Sequence, residues 1–143
     1  MTLQLPYVLV PLLAYLCAGG LKFLINSVRA RGWATSQVGL GGFPSTHTAI
    51  ISSGAFTVCL QRGWDSAEAA LAAAVVVIVV IDAMDLRRRV GRHAEALNAL
   101  LRATPALAHR EPLRERMGHH PLEVLGGLTV GAAVAWVMTA LHG

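Results

Sequence analysis

The sequence predicts an all-α integral membrane bundle of about four transmembrane helices plus a surface helix, with residues 1–143 forming a single membrane domain. Three observations predict it. The chain is 55% hydrophobic and only 14% charged, with a mean hydropathy of +0.55, a balance that a water-soluble domain of 143 residues does not carry. A membrane helix needs about 20 largely apolar residues, so once the polar connections are set aside there is room for roughly four crossings and no second domain. The Val- and Ile-rich runs would suit strands in water. In lipid only helices and closed barrels satisfy the backbone, and the chain has too few alternating segments for a barrel.

The elements follow in order. Residues 3–21 are uncharged, so no basic region precedes the first apolar stretch and the segment is expected to stay as a membrane helix rather than be cleaved as a signal peptide. It continues into LKFLINSVRARGW, a basic tail carrying Lys22, Arg29 and Arg31. A polar, glycine-rich stretch, TSQVGLGGFPST, leads into HTAIISSGAFTVCL, whose apolar part is short for a full span. RGWDS at 62–66 reads as a tight connection, and the Ala/Val/Ile run from Ala67 to Ile81 reads as a helix that runs into DAMDLRRRVG. Residues 87–120 are the extended charged region, with a surface-lying helix expected near Arg92 to Arg102 and a mobile link around Pro105 to Pro112. The last crossing is expected from about Pro121 to Leu141.

Threaded through a bilayer, these spans put the 22–46 and 87–120 segments on one side, with eleven of the twelve Lys and Arg residues and only Arg62 opposite. Setting aside Lys22, Arg29, Arg87 and Arg88 as candidates for chemistry leaves seven against one. The positive-inside rule then makes that side cytoplasmic in a multi-pass protein of the cell (inner) membrane. The net charge of +4 is interleaved with membrane segments and not laid out as a soluble basic face, which points to an anionic headgroup or phosphate as partner and not to nucleic acid. Cys17 and Cys59 fall inside apolar runs and are assigned no chemistry. Gly127-x3-Gly131 on the last helix and the Ala-rich third helix offer small surfaces for close packing, from which a homodimer or small homo-oligomer is expected. Packing within one chain is the alternative use of the same residues.

Several short patterns could carry chemistry. Lys22 and Arg29 are seven apart and project from one stripe of a helix, where they hold a shared anion or snorkel to lipid headgroups. GGFPSTHT at 41–48 combines glycines that permit close backbone approach with Pro44 and Ser45 as helix starters and His47 in the first turn. The free N–H groups there, with Ser45 and Thr46, suit an anion, while a simple capped helix explains the same residues. Asp82 and Asp85 close a long apolar run and precede Arg87, Arg88 and Arg89. Asp85 has ion-pair spacing to Arg88 or Arg89, whereas Asp82, one turn deeper, is harder to explain that way, since a carboxylate in a membrane segment usually has a partner and often a task. His119 and Glu123 are four apart at a helix start marked by Pro121, so the carboxylate can fix the imidazole tautomer and leave the other nitrogen nucleophilic. There is no HExxH or cysteine set, and arginine-rich surroundings repel a cation, so no metal and no cofactor is expected. The deduced topology places Lys22, Arg29, His47, Arg87, Arg88, His119 and Glu123 at one face, where cations and helix N-termini could stabilise a phosphoryl transition state.

Taken together, Lys22-x6-Arg29, then Pro44-Ser45-Thr46-His47, then His119-x3-Glu123 resemble the three-part signature of the type 2 phosphatidic acid phosphatase and vanadium haloperoxidase superfamily. GGFPSTHT, DAMDLRRRVG and GHHPLEVLGG are similar to segments of its small divergent membrane branch. The resemblance implies a metal-independent phosphatase acting on a lipid phosphate monoester or diphosphate. In that scheme His119 attacks phosphorus, His47 protonates the leaving alkoxide and later activates water, and Glu123 orients His119. Lys22, Arg29, Ser45, Thr46 and one or both of Arg87 and Arg88 hold the phosphate, with Asp82 and His120 in support. The chain departs from the wider superfamily in having Ala30 for proline, Thr46 for glycine, Glu123 for aspartate and Leu113 for an arginine. Arg114 stands six before His120, which makes His120 a rival nucleophile with Val124 where its carboxylate belongs. Asp85 stands where the divergent branch has glycine. A second reading follows from these departures: a noncatalytic membrane module that binds or moves anionic lipids with a degenerate site.

Overall fold

A computed structural model describes residues 6–32, 42–107 and 109–142, and among these residues every regular element is a helix. A short 3₁₀ turn, Tyr7–Leu9, enters α1, Val10–Ala30, which ends when Arg31 turns left-handed (φ 49°) and its N–H reaches back to the carbonyls of Ser27 and Val28. Helix α2, Thr46–Arg62, starts on Ser45, whose side chain accepts the Thr48 N–H at 3.4 Å, and stops at Gly63 with φ 91°. Ser66 caps α3, Ala67–Ile81, by accepting the Ala69 N–H at 3.1 Å, with Glu68 in the first turn where a negative charge suits the helix dipole. Beyond Ile81 the chain makes a single π turn, Asp82–Leu86, and continues directly as α4, Arg87–Ala103. Helix α5, Pro121–His142, completes the chain.

Among the described residues three stretches are long and apolar enough to cross a membrane: Tyr7–Ala30, the 37-residue helix Ala67–Ala103, and Pro121–His142. Helix α2 is the exception. Its 17 residues reach only about 25 Å, short of a bilayer core of ~30 Å, and it carries several hydroxyl side chains. It packs against α1, α3 and α5 together, so its polar face meets protein instead of lipid. Ser52, Ser53 and Thr57 are buried and donate to carbonyls of their own helix, Ser53 to Ile50 and Thr57 to Ser53 at 2.8 Å each. The expected fourth apolar run is thus the central helix of the bundle, and the three helices around it turn Leu16, Leu71, Ile78, Trp136 and Leu141 outward.

Small residues make this packing possible. A Cβ on Gly131 would run into Ser52 Oγ and come within 2.7 Å of the Ala49 carbonyl, and one on Gly127 would lie 2.8 Å from Thr48 Cβ. The Gly127-x3-Gly131 stripe is therefore filled by α2 of the same chain, which takes from the expected oligomer one of the two small-residue surfaces on which it rested. At one end of the bundle Val10, Ala135 and Met138 form a buried cluster with Leu13, Phe56 and Val134, and Tyr7 stacks on His142 with ring centroids 4.4 Å apart.

A helix covers Arg92 to Arg102, where a separate surface helix was expected, but it begins at Arg87 and has no break from α3. No proline or glycine stands between Ile81 and Arg87 to end the helix, and the π turn absorbs one extra residue without interrupting it. One face of α4, Gly91, Ala94 and Asn98, is buried. The returning 113–118 segment lies against it: a Cβ on Gly91 would clash with the Glu115 carbonyl, and Gly118 (φ 94°) sits against the Arg88 backbone.

Candidate active site

The end of the bundle opposite Tyr7 and His142 gathers four elements. The entry to α2 is tied to the start of α5 by the Ser45 N–H, which donates to the Glu123 carbonyl at 2.8 Å. Gly126 leaves room for the Phe43 ring beside this joint. From α1, Lys22 Nζ donates to Thr46 Oγ1 at 3.2 Å, so a cation stands over the first turn of α2. His47, the next residue, has its ring centroid 6.3 Å from that of His119, with the planes tilted by 57°. Lys22, Arg87, His119 and Asp82 all lie close enough to act electrostatically on His47.

His119 is held from two directions. Its backbone N–H donates to the Ala83 carbonyl at 2.9 Å. In an α-helix that carbonyl would take the N–H of Arg87, but the π turn sends the Arg87 N–H to Asp82 instead and leaves Ala83 able to accept from His119. On the side chain, Nδ1 lies 2.7 Å from Glu123 Oε2, and the imidazole is only 7% exposed. The same carboxylate oxygen accepts the His120 N–H at 3.2 Å, which pins it in place. A carboxylate at Nδ1 fixes the neutral imidazole as the Nδ1–H tautomer, so Nε2 carries the free lone pair.

Lys22, Thr46, His47, Asp82, Arg87, His119 and Glu123 therefore form one group. Asp82 is the partner of Arg87, at 3.2 Å, and Asp85 pairs with Arg89 at 3.0 Å on the exposed side. Other expected members stand apart. Ser45 is fully buried and its hydroxyl oxygen accepts from both the Thr48 N–H and the Thr48 hydroxyl, so it serves as a helix cap. Arg29 is exposed, about 10 Å farther along α1 than Lys22, and makes no hydrogen bond or ion pair with another described residue. Arg88 and His120 are exposed. Gly41 lies outside the described residues. Among those residues no three His, Cys, Asp or Glu side chains converge as a metal-ligand set.

Reading the sequence missed the supports of this group. Asn98 is 2% exposed, and its amide makes three hydrogen bonds to the returning segment: Nδ2 donates to the Leu113 carbonyl at 2.8 Å and to Glu115 Oε1 at 2.9 Å, and Oδ1 accepts the Leu113 N–H at 2.8 Å. The spacing of Gly91, Ala94 and Asn98 along one helix face was the available signal. An open cleft of about 950 Å³ adjoins Glu123, lined also by Gly42, Asn98, Leu113, Met117 and Gly118.

The family described as the Divergent PAP2 family matches residues 3–134. The chain belongs to this family. Among curated proteins it is similar to the uncharacterized membrane protein YuiD of Bacillus subtilis (strain 168), 36% identical over a 103-residue alignment covering 62% of this chain and 65% of that protein. The match thus spans somewhat less than two thirds of the relative's length. No solved structure matches the chain. Lys22, His47, His119 and Glu123 all fall within the matched residues.

Proposed function

We propose that this Divergent PAP2 family chain is a metal-independent membrane phosphatase that hydrolyses a lipid phosphate monoester or diphosphate through a phosphohistidine. The observation that carries the reading is the 2.7 Å contact of His119 Nδ1 with Glu123 in a group that also holds His47, Lys22 and Arg87. Nε2 of His119 attacks phosphorus while the bond from phosphorus to the ester oxygen breaks, and His47 gives its proton to the departing oxygen. His47 then takes a proton from water, the water oxygen attacks phosphorus, the P–N bond breaks, and phosphate leaves with His119 restored. The His119 imidazole becomes cationic while phosphorylated, and the Glu123 carboxylate offsets that charge. Lys22 and Arg87 neutralise the phosphoryl oxygens.

The site faces the cytoplasm in this reading, because the excess of Lys and Arg lies at the same end of the bundle. A small homo-oligomer would have to form on another surface than the glycine stripe, such as the outward Leu71, Val75 and Ile78 of α3. The test is phosphate release by purified protein in chelator, offered phosphatidate and polyprenyl mono- and diphosphates in turn, with trapping of acid-labile, base-stable phosphoprotein. Release and trapping support the phosphatase. Neither, with lipid phosphate still bound, gives the noncatalytic lipid-binding module instead.

A further inference from the structure

We infer that Asn98 is a positioning residue for His119: the clasp it forms on residues 113–115 holds the returning segment to α4 and thereby sets the nucleophile against Glu123. Asn98 lies eleven residues beyond Arg87, about 16 Å along the helix, and touches none of the reacting groups. Its role follows from the path between them. The amide is buried with all three of its bonds on Leu113 and Glu115. Gly91 lets the Glu115 backbone approach α4 more closely than any side chain would allow, and Gly118 turns the chain against Arg88. One residue later the His119 N–H reaches Ala83 in the π turn. Residues 113–119 are thus fastened to a single helix at both ends, by Asn98 and by Ala83. Releasing one end leaves His119 held by one backbone bond and its own carboxylate.

The catalytic arm of the test rests on the phosphatase reading, and a second arm does not. Asn98→Asp keeps the shape and the acceptor for the Leu113 N–H, but sets a carboxylate against the Leu113 carbonyl and Glu115. Glu115→Gln supplies a donor to that carboxylate and restores part of the clasp. Amide exchange read by mass spectrometry should rise over 113–119 in Asn98→Asp and stay unchanged in α2 and α5. Turnover should fall by up to ~10²-fold, the cost of a small misplacement at a reacting group, with KM unchanged because Lys22 and Arg87 are untouched. Asn98→Asp combined with Glu115→Gln should recover both in part.

Wild-type exchange and turnover in Asn98→Asp would overturn the inference, as would exchange rising evenly across all helices. Should Asn98→Asp not fold, Glu115→Ala removes one of the three bonds: a local rise at 113–119 supports the clasp, and wild-type exchange there refutes it. A wild-type chain without phosphatase activity but with the local exchange response would refute the proposed function and leave the clasp standing.

Discussion

Replacing Glu123 with glutamine isolates the charge of the carboxylate from its shape. The backbone role of residue 123 survives, since the Ser45 N–H donates to its carbonyl, and the glutamine oxygen can still accept from His119 Nδ1 and the His120 N–H. What is lost is a negative charge 2.7 Å from an imidazole that becomes cationic on phosphorylation, with the two side chains only 7% and 22% exposed. A hydrogen bond to a charged group in such surroundings contributes roughly 1.5–3 kcal/mol. At about 1.4 kcal/mol per tenfold, the expected loss of turnover is roughly 10- to 150-fold. Because the charge acts as His119 turns cationic in the transition state and not on bound substrate, kcat and kcat/KM should fall together with little change in lipid-phosphate binding. Stopped-time trapping of the phosphoprotein alongside steady-state release measures both. Folded Glu123→Gln with wild-type kcat, or with a raised KM alone, would refute the assignment of Glu123 to the nucleophile.

His119→Ala should abolish turnover and phosphoprotein while lipid-phosphate binding persists, and His47→Ala should lower turnover ~10²- to 10⁴-fold, less for leaving groups that need no proton. Arg87→Ala should cost more in binding and turnover than Arg29→Ala, because Arg87 lies beside His47 and Arg29 is exposed two turns from Lys22; equal losses in titrations with lipid phosphate would count against this. Gly131→Ala should destabilise the bundle by roughly 1–3 kcal/mol through overpacking against Ser52 and Ala49, whereas Gly19→Ala, with nothing within 4 Å of the added carbon, should be neutral or stabilising in thermal unfolding in detergent. A cysteine placed between 109 and 112, with Cys17 and Cys59 replaced, should react with an impermeant maleimide only in opened cells; labelling of intact cells would put the site outside.

The apolar spans, the cap at Ser45 and the pairing of His119 with Glu123 were legible because each depends on residues within a few positions of one another. Helix α2 was harder, since hydropathy compares a side chain with lipid and cannot register that Ser52, Ser53 and Thr57 are screened by three neighbouring helices. The glycine stripe was visible, yet Gly127-x3-Gly131 signals only that a backbone comes close, and the backbone that does so belongs to α2. Two features left almost no mark. The π turn at Asp82–Leu86 uses ordinary helix-forming residues, and Asn98 looks like any polar residue in a charged segment until Leu113 and Glu115 fold back onto it from fifteen and seventeen positions away.

The same geometry bears on the departure at Leu113, where the wider superfamily has an arginine. Leu113 contributes its backbone N–H and carbonyl to Asn98, so the position serves the clasp and not the anion. In the proposed site helix α4 would offer a cation in its place, since Arg87, just past the π turn, lies close enough to act electrostatically on His47. Asp82 holds Arg87 at 3.2 Å, and that pair could be thought to withdraw the guanidinium from any ligand. The side chains are 38% and 39% exposed, however, and ion pairs so open to solvent contribute at most about 1 kcal/mol. In the proposed site a phosphate dianion between Lys22 and Arg87 would compete readily with one carboxylate for the guanidinium. On the proposed reading Asp82 would hold the arginine beside the site and give it up to phosphate. The same carboxylate also keeps the empty group of Lys22, Arg87, Asp82 and Glu123 close to neutral, so the cations can share one end of the bundle without strong mutual repulsion.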